Sequence, residues 1–177
     1  MEFNKLITTR RSIRGFTDEM IPNEVLKRIF EQTRLSPTWA NKQGVKYVLV
    51  SDPSKIEIIR EASEQEWTKS ANVFVVVCID PKDSGKNHDG LQYFPVDAAI
   101  CLTQLIYSAT NEGLGTVWMG WFKEEPIKKA LNIPKETRII GMTPLGYPKY
   151  KPKEQKRKDL QDFVFGDDYG KVWEGLR

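Results

Sequence analysis

A run of seven apolar residues most limits how this chain can fold. Residues 73–79 read Val-Phe-Val-Val-Val-Cys-Ile, and five of these seven side chains are β-branched. β-Branched residues favour strands, and successive side chains of a strand point to opposite faces of the sheet. This strand therefore has two apolar faces. We predict a central position for it, in a sheet that is covered on both sides.

The rest of the chain alternates between helical and extended patterns. Apolar residues at helical spacing predict helices over residues 17–34, 53–67, 97–111 and 124–131. Further strands are predicted over residues 45–51 and 138–145, and residues 117–121 are predicted to form either a short strand or an extended segment. The helix at 97–111 is apolar on nearly every side, so we expect it to be buried. Asp97 favours its N-terminus, and Gly113 favours its end.

Composition places the chain among ordinary globular proteins. It has 177 residues, 40% of them hydrophobic and 29% charged, which predicts a single folded domain over residues 1–177. The net charge of +3 is too small to favour a nucleic-acid partner. The sequence shows neither a signal-peptide pattern nor an apolar stretch of about 18 residues. We therefore expect a cytoplasmic protein without a membrane partner.

A single histidine narrows the possible chemistry. His88 lies in a polar loop over residues 83–90, and a Ser-His-Asp triad, a Cys-His pair or a His-rich metal site would have to use it. Cys78 and Cys101 both fall within apolar stretches, which is typical of small buried side chains rather than of a disulfide. We expect no metal centre, and we expect an enzyme with this sequence to rely on an organic cofactor.

Residues 10–14 concentrate positive charge near the N-terminus. They read Arg-Arg-Ser-Ile-Arg. A guanidinium group donates two parallel hydrogen bonds to phosphate oxygens, and a serine hydroxyl adds another donor. The segment is either a phosphate-binding segment or a solvated basic turn, and these five residues alone do not decide between the two.

Two other segments carry polar or glycine-rich signals. The loop over residues 36–44 presents the hydroxyl and amide groups of Thr38, Asn41 and Gln43, although turn formation alone would explain its Pro, Asn and Gly. The Gly-Leu-Gly at 113–115 follows a helix and precedes a strand, the reverse of a dinucleotide-binding turn. We interpret it as a helix stop followed by a tight turn.

The residues from about 150 to 177 form a tail that differs from the rest of the chain. A polar stretch with prolines leads to large apolar side chains, which are Leu160, Phe163, Val164, Phe165, Tyr169, Val172 and Trp173. Apolar residues on a charged tail need a surface to cover. That surface is either their own domain or a second subunit, and we predict that the tail embraces a second copy of the chain.

Six motifs follow one another in a fixed order. They are the basic segment at 10–14, Ser36-Pro37-Thr38 with Asn41 and Gln43, Asp97-Ala98-Ala99, Gly113-Leu114-Gly115-Thr116 with Trp118-Met119-Gly120, Gly141 with Pro144-Leu145-Gly146-Tyr147-Pro148, and Arg157. In this order they resemble the nitroreductase family of FMN-dependent NAD(P)H oxidoreductases, over roughly residues 3–165. The chain differs from many members at Gln43-Gly44-Val45 and in its short segment between residues 86 and 95.

The resemblance implies an α+β fold with a mixed central sheet flanked by helices, in a homodimer whose C-terminal tails are exchanged. It also implies one FMN at each end of the dimer interface, bound by both subunits. The phosphate and ribityl end would be held by Arg10, Ser12 and Arg157. Lying along the cofactor would be Arg11 and Arg14. The second subunit would contribute Pro37, Thr38, Trp39 and Asn41. Passing beneath the flavin ring would be Met119 and Gly120.

The implied activity is hydride transfer from NAD(P)H through flavin N5 to an electron-poor acceptor, such as a nitroaromatic or a quinone, by a ping-pong mechanism. The expected catalytic groups are the backbone N–H of Gly120, facing N5, and Arg14, which would stabilise the negative charge that develops on reduction. The alternative is a flavin-binding redox sensor or flavin-handling protein without broad reductase activity.

Overall fold

The apolar run of the sequence is the middle strand of the sheet. In a computed structural model, which describes residues 1–176, three strands lie in the order β1 (Lys46–Val50), β2 (Phe74–Ile79) and β3 (Arg138–Pro144). Both pairings are antiparallel, and Phe74 of β2 lies opposite Val50 and Pro144. Every residue of β2 is buried. The predicted central strand with two covered faces is confirmed.

Helices cover the sheet on both sides. They are α1 (Phe3–Thr9), α2 (Asn23–Thr33), α3 (Pro53–Ser63), α4 (Phe94–Asn111) and α5 (Glu124–Leu131). Alternate residues of β2 belong to two separate cores. Phe74 and Val76 pack in the core that includes α3 and α5, whereas Val75 and Val77 pack in the core that includes α2 and α4. The predicted α+β architecture is confirmed, but the central sheet is antiparallel and not mixed, because both of its strand pairings are antiparallel.

The long helix α4 forms most of the second core. Leu102 and Leu105 are completely buried in it, and removing each such side chain from water contributes about 1.5–3 kcal/mol. Gly113, with φ of 83°, follows the helix as predicted. Val96 and Ile100, one turn apart, remain 40% and 38% exposed. One face of α4 therefore carries an uncovered apolar strip.

Two predicted helices are longer in the sequence pattern than in the structure. The helix predicted over 17–34 begins only at Asn23, because Pro22 is extended (φ −61°, ψ 141°) and disfavours helical geometry at the residue before it. The helix predicted over 53–67 ends at Ser63, where Glu64 turns left-handed with φ of 53°. A short 3₁₀ helix, Glu66–Ser70, follows.

Residues 117–121, predicted as a short strand or an extended segment, make an isolated bridge but no strand ladder. Met119 makes an isolated bridge to Met142, and Gly115 makes another to Gly146. The segment bridges different partners in turn, so no run of consecutive pairs develops. A parallel bridge joins Ser12 to Thr116, whereas the three strands of the sheet are antiparallel throughout. Helix α1 was not predicted, because its seven residues are too few to establish a helical period, and none of them is buried.

The tail contains short structure and much exposed apolar surface. Two 3₁₀ helices, Leu160–Asp162 and Glu174–Leu176, flank a bridge between Phe165 and Val172. Phe163 is 56% exposed and Tyr169 is 98% exposed. Thus the tail leaves its apolar side chains largely uncovered within one chain. Across residues 1–176, no helix is both long enough and apolar enough to span a membrane.

Candidate functional site

The basic segment is tied to the body of the protein at its C-terminal end. The Ile13 backbone N–H donates to the carbonyl oxygen of Thr116 at 2.8 Å, beside the Ser12–Thr116 bridge. Two residues further on, the carbonyl oxygen of Gly15 accepts from the backbone N–H of Lys149 at 2.9 Å. Bridge contacts of this kind are typical of strand-like backbone, whose successive side chains point to opposite faces.

Those two faces have different surroundings. Arg11 and Ile13 line a cavity of about 370 Å³, together with Leu114 and Tyr150. Arg14 lies on the other face, where its guanidinium carbon is 6.0 Å from the centre of the Trp67 ring. Alternation places the side chains at positions 10 and 12 on the same face as Arg14. The structure therefore separates Arg11 from the other two arginines.

The hydrogen bonds of the segment follow the same division. Arg11 Nη1 donates to the carbonyl oxygens of Thr8 and Arg10 at 2.7 and 2.8 Å, and Nη2 lies 3.3 Å from a Glu154 carboxylate oxygen. Within residues 1–176, the side chains of Arg10, Ser12 and Arg14 donate to no other residue. The hydroxyl oxygen of Thr116, beside Ser12, is buried and has no partner in this part of the chain. Donors are therefore available here for an anionic ligand.

Met119 and Gly120 use their backbones differently. Met119 is buried, and its N–H and carbonyl exchange hydrogen bonds with Met142 at 2.9 and 3.1 Å. The N–H of Gly120 donates to no acceptor within the described residues. A Cβ at Gly120 would lie 2.9 Å from the Trp118 ring, so a larger residue would force the indole to move. Gly120 therefore offers an exposed N–H beside a packed tryptophan.

The 36–44 loop is held by the first turn of α4. The Trp39 backbone N–H donates to Asp97 Oδ1 at 2.8 Å, and the Trp39 ring packs on Tyr93 with the ring centres 4.6 Å apart. A Cβ at Gly85 would lie 2.0 Å from Trp39 Nε1, so glycine is needed for the indole to fit. Pro37 and Asn41 are exposed.

This loop contains backbone strain. Ala40, Asn41 and Gln43 have φ of 44°, 55° and 55°. A left-handed conformation costs an L-residue about 1–2 kcal/mol, and asparagine tolerates it best. The Gln43 N–H donates to Thr38 Oγ1 at 3.0 Å, and this bond within the loop helps to hold its shape. A loop held in this way presents Asn41 in a single orientation.

Two titratable groups lie in or beside the central sheet. Burial, together with a hydrogen bond to Cys101, raises the pKa of the Tyr47 phenol, and burial raises the pKa of the Cys78 thiol. Both groups therefore stay neutral at ordinary pH. Cys78 and Cys101 are both buried and free, which confirms the interpretation of the two cysteines as small core residues.

Comparison with known proteins identifies the family. The profile of the nitroreductase family matches residues 7–90 and 63–147 of this chain. The chain belongs to the nitroreductase family. A nitroreductase family protein from Clostridium novyi NT, solved as a crystal structure, is 31% identical with a TM-score of 0.81, over 98% of this chain and 97% of that one.

Two relatives of known sequence are similarly close to this nitroreductase-family chain. A protein of Archaeoglobus fulgidus, provisionally named an NADH dehydrogenase/NAD(P)H nitroreductase, is 31% identical over 93% of this chain and 90% of its own length. The FMN reductase [NAD(P)H] of Bacillus subtilis is 30% identical over 83% of this chain and 66% of its own length.

Within one copy of this chain, the predicted site residues form two groups. The loop with Trp39 contacts Asp97 in the first turn of α4, whereas the cavity behind the basic segment is lined by Thr110 in its last turn. At about 1.5 Å per residue, these two positions are about 20 Å apart along the helix. The basic segment, Thr116 and Gly120 therefore form one group, and the 36–44 loop forms the other.

Two further residues, Arg157 and Trp67, lie within reach of the first group. Arg157 is exposed and lies three residues after Glu154, so the chain keeps it within about 11 Å of the Arg11 contact. Trp67, which faces Arg14, was not predicted as a site residue. Nothing in the sequence links these two positions, because the contact arises only when the 3₁₀ helix Glu66–Ser70 folds against the basic segment.

Arg11 supplies a test of this division. Replacing Arg11 with alanine should lower the free energy of unfolding by about 1–2 kcal/mol, because two backbone carbonyls lose a charged donor. Arg14→Ala is the matched control and should change it by less than about 0.5 kcal/mol. Urea unfolding followed by circular dichroism measures both. Equal losses of stability in the two variants would contradict the division.

Proposed function

We propose that this protein is an FMN-dependent oxidoreductase that takes hydride from NAD(P)H and passes it to an electron-poor acceptor, such as a nitroaromatic or a quinone. The observation that supports this most is the row of Arg10, Ser12 and Arg14, whose donors are not used within the described chain. The names of relatives point in the same direction, since one is an FMN reductase [NAD(P)H]. FMN and NAD(P)H are therefore the cofactor and the electron donor in this proposal.

The residues around the basic segment have side chains or backbone groups whose chemistry suits particular parts of FMN. Arg10 and Ser12, with Arg157 from the tail, hold the phosphate and ribityl end, because guanidinium and hydroxyl donors match phosphate oxygens. Arg14 lies further along and stabilises negative charge that develops on reduction. The Gly120 N–H, which has no acceptor among the described residues, would be available to donate to the reacting edge of the ring. When bound, FMN supplies the hydride chemistry at N5.

Such a reaction requires neither a general base nor a nucleophile from a side chain. His88 is exposed in its loop, and both cysteines are buried. NAD(P)H and the acceptor would then occupy the same open face of the cofactor in turn, so we infer a ping-pong mechanism. The residues of the chain would bind and orient the cofactor, and they would leave that one face for the donor and the acceptor.

We further propose that the complete site is shared between two subunits of a homodimer. In one chain the 36–44 loop contacts the first turn of α4, and the cavity behind the basic segment lies about 20 Å further along that helix, so we propose that a loop from a second copy completes the site. The exposed strip with Val96 and Ile100 on α4 offers an apolar surface for that copy. Such a surface is typical of an obligate interface between identical chains.

The tail has a place in the same arrangement. Within the described chain, β1 pairs only with β2, while the outer edge of β3 is partly covered by Met119. β1 is therefore the sheet edge available to another strand. The exposed Leu160 and Phe163 lie on a tail long enough to reach a second copy. We propose that the tails of the two subunits are exchanged and cover such surfaces.

The alternative function is a flavin-binding redox sensor or flavin-handling protein without broad reductase activity. Two tryptophans favour it. The Trp118 ring packs against Gly120, and Trp121, the next residue after Gly120, is 73% exposed. An indole lying over the cofactor would exclude large acceptors. The two functions differ in whether the reduced protein reacts with such acceptors.

A stopped-flow experiment tests the proposal. The purified protein should be yellow and should release FMN, not FAD, on heating. Mixing with NADH or NADPH should bleach the flavin, and a later addition of a quinone should restore its colour, because donor and acceptor use one face in turn. A colourless protein that binds no added FMN would contradict both functions. Bleaching without reoxidation by any quinone or nitroaromatic would favour the sensor.

The two arginines should separate binding from reduction. Arg10→Ala should weaken FMN binding by about 1.5–3 kcal/mol, because a charged contact to phosphate is lost. Arg14→Ala should chiefly make the bound flavin harder to reduce, because its charge acts where negative charge develops. Fluorescence titration measures the affinity, and a reductive titration measures the potential. Equal effects of both variants on both quantities would show that the roles are wrongly assigned.

The shared site predicts the effects of truncation and of mixing. Deleting residues 159–177 should remove both the dimer and bound FMN, as measured by light scattering and absorbance. A folded, yellow monomer would contradict the shared site. Arg10→Ala and Asn41→Glu should each bind FMN poorly, but refolding them together should recover about a quarter of the wild-type sites. Half of such dimers are mixed, and each mixed dimer has one intact site.

A further inference from the structure

Asp97 is a carboxylate in an unusual place. It is 2% exposed and lies in the first turn of α4. Burying an ionised group without partners is expensive, and no lysine or arginine forms an ion pair with it among residues 1–176. The N-terminal end of the helix offsets part of that cost, because its dipole favours negative charge. The sequence predicted only this effect on the helix.

Both carboxylate oxygens of Asp97 have a partner. Oδ1 accepts from the Trp39 backbone N–H at 2.8 Å, and Oδ2 accepts from the Ser84 hydroxyl at 2.6 Å. The carbonyl oxygen of Ser84 in turn accepts from Lys42 Nζ at 2.7 Å. The 36–44 loop is therefore tied to Asp97 twice, directly at Trp39 and through Ser84 at Lys42.

The two ties enclose the strained part of the loop. Ala40 and Asn41, both left-handed, lie between Trp39 and Lys42, and left-handed Gln43 follows directly. Residues in such conformations persist only when their surroundings hold them there. Without the ties, the backbone would relax towards right-handed or extended geometry. The exposed Asn41 would then no longer be presented in one orientation.

We propose that Asp97 is a positioning residue, whose buried carboxylate holds the strained 36–44 loop in the shape that completes the flavin site of the second subunit. The part of this inference that concerns the flavin rests on the proposed function. The part that concerns the shape of the loop rests on contacts within a single chain. Asp97 does not touch the cofactor. It acts through Trp39 and Ser84, about 20 Å along α4 from the other half of its own chain's site.

Amide hydrogen exchange on the full-length protein tests the loop directly. The informative amides are those of Trp39, Asn41, Lys42 and Gln43, each of which is hydrogen-bonded within this network. In Asp97→Ala, their exchange should accelerate about tenfold or more, because a charged acceptor is lost and the loop opens locally. Asp97→Asn keeps an acceptor for the Trp39 N–H and should stay within about threefold of wild type.

Two further variants serve as controls. Ser84→Ala removes only the contact to Oδ2 and should have a smaller effect on the loop than Asp97→Ala. Asp52→Ala removes a matched aspartate that accepts two backbone N–H groups at the start of α3, at 2.9 and 3.2 Å. It should leave exchange in the 36–44 loop unchanged. A loop that opens equally in this control would show a general loss of stability.

The flavin measurements then test the consequence for the site. In Asp97→Ala, the FMN dissociation constant should rise about tenfold, and Asp97→Asn should restore most of the affinity. Unchanged loop exchange in Asp97→Ala overturns the proposal, as does a loosened loop with unchanged FMN affinity and turnover. If the wild type binds no FMN, the proposed function fails, and the exchange rates alone then support or overturn the role of Asp97 in holding the loop.

Discussion

Burial of β2 on both faces is the constraint on which the rest of the structure depends. Because Phe74 and Val75 point to opposite sides and both are completely buried, each side of the sheet needs its own layer of helices. Helices α3 and α5 meet the first need, and α2 and α4 meet the second. The long α4 therefore lies across one face of the sheet. Its first turn contacts the 36–44 loop, and its last turn lies beside the basic segment.

The length of α4 has a direct consequence for the candidate site. The first turn of the helix is hydrogen-bonded to the 36–44 loop, and its last turn lines the cavity behind the basic segment. A rigid helix cannot bring these two groups together within one chain. A two-fold arrangement of two chains can, because each copy then contributes a different half. The uncovered strip on α4 and the apolar tail are consistent with such an arrangement, and they would otherwise leave large side chains in water.

The arginines of the basic segment differ in the contacts that they make. Arg11 is engaged by Thr8, Arg10 and Glu154 of its own chain, so it stabilises the end of α1 and the start of the tail. On the opposite face, the side-chain donors of Arg10, Ser12 and Arg14 have no acceptor among the described residues. Resemblance alone assigned all of these residues to the cofactor. The contacts of Arg11 within its own chain, which only the tertiary structure shows, distinguish it from the others.

Local patterns in the sequence determined the elements with strong periodicity. The central strand at 73–79, the buried helix with Asp97 and its stop at Gly113 follow from side-chain shape and backbone preference, and the order of six motifs was enough to indicate the family. The ends of the helices were less well determined. Non-helical backbone angles at Pro22 and Glu64 limit α2 and α3, although the apolar pattern continues beyond these residues. Tertiary structure decided the rest. The contact between Asp97 and the Trp39 N–H and the placement of Arg14 over Trp67 join residues far apart in the chain, and no local preference encodes such distances.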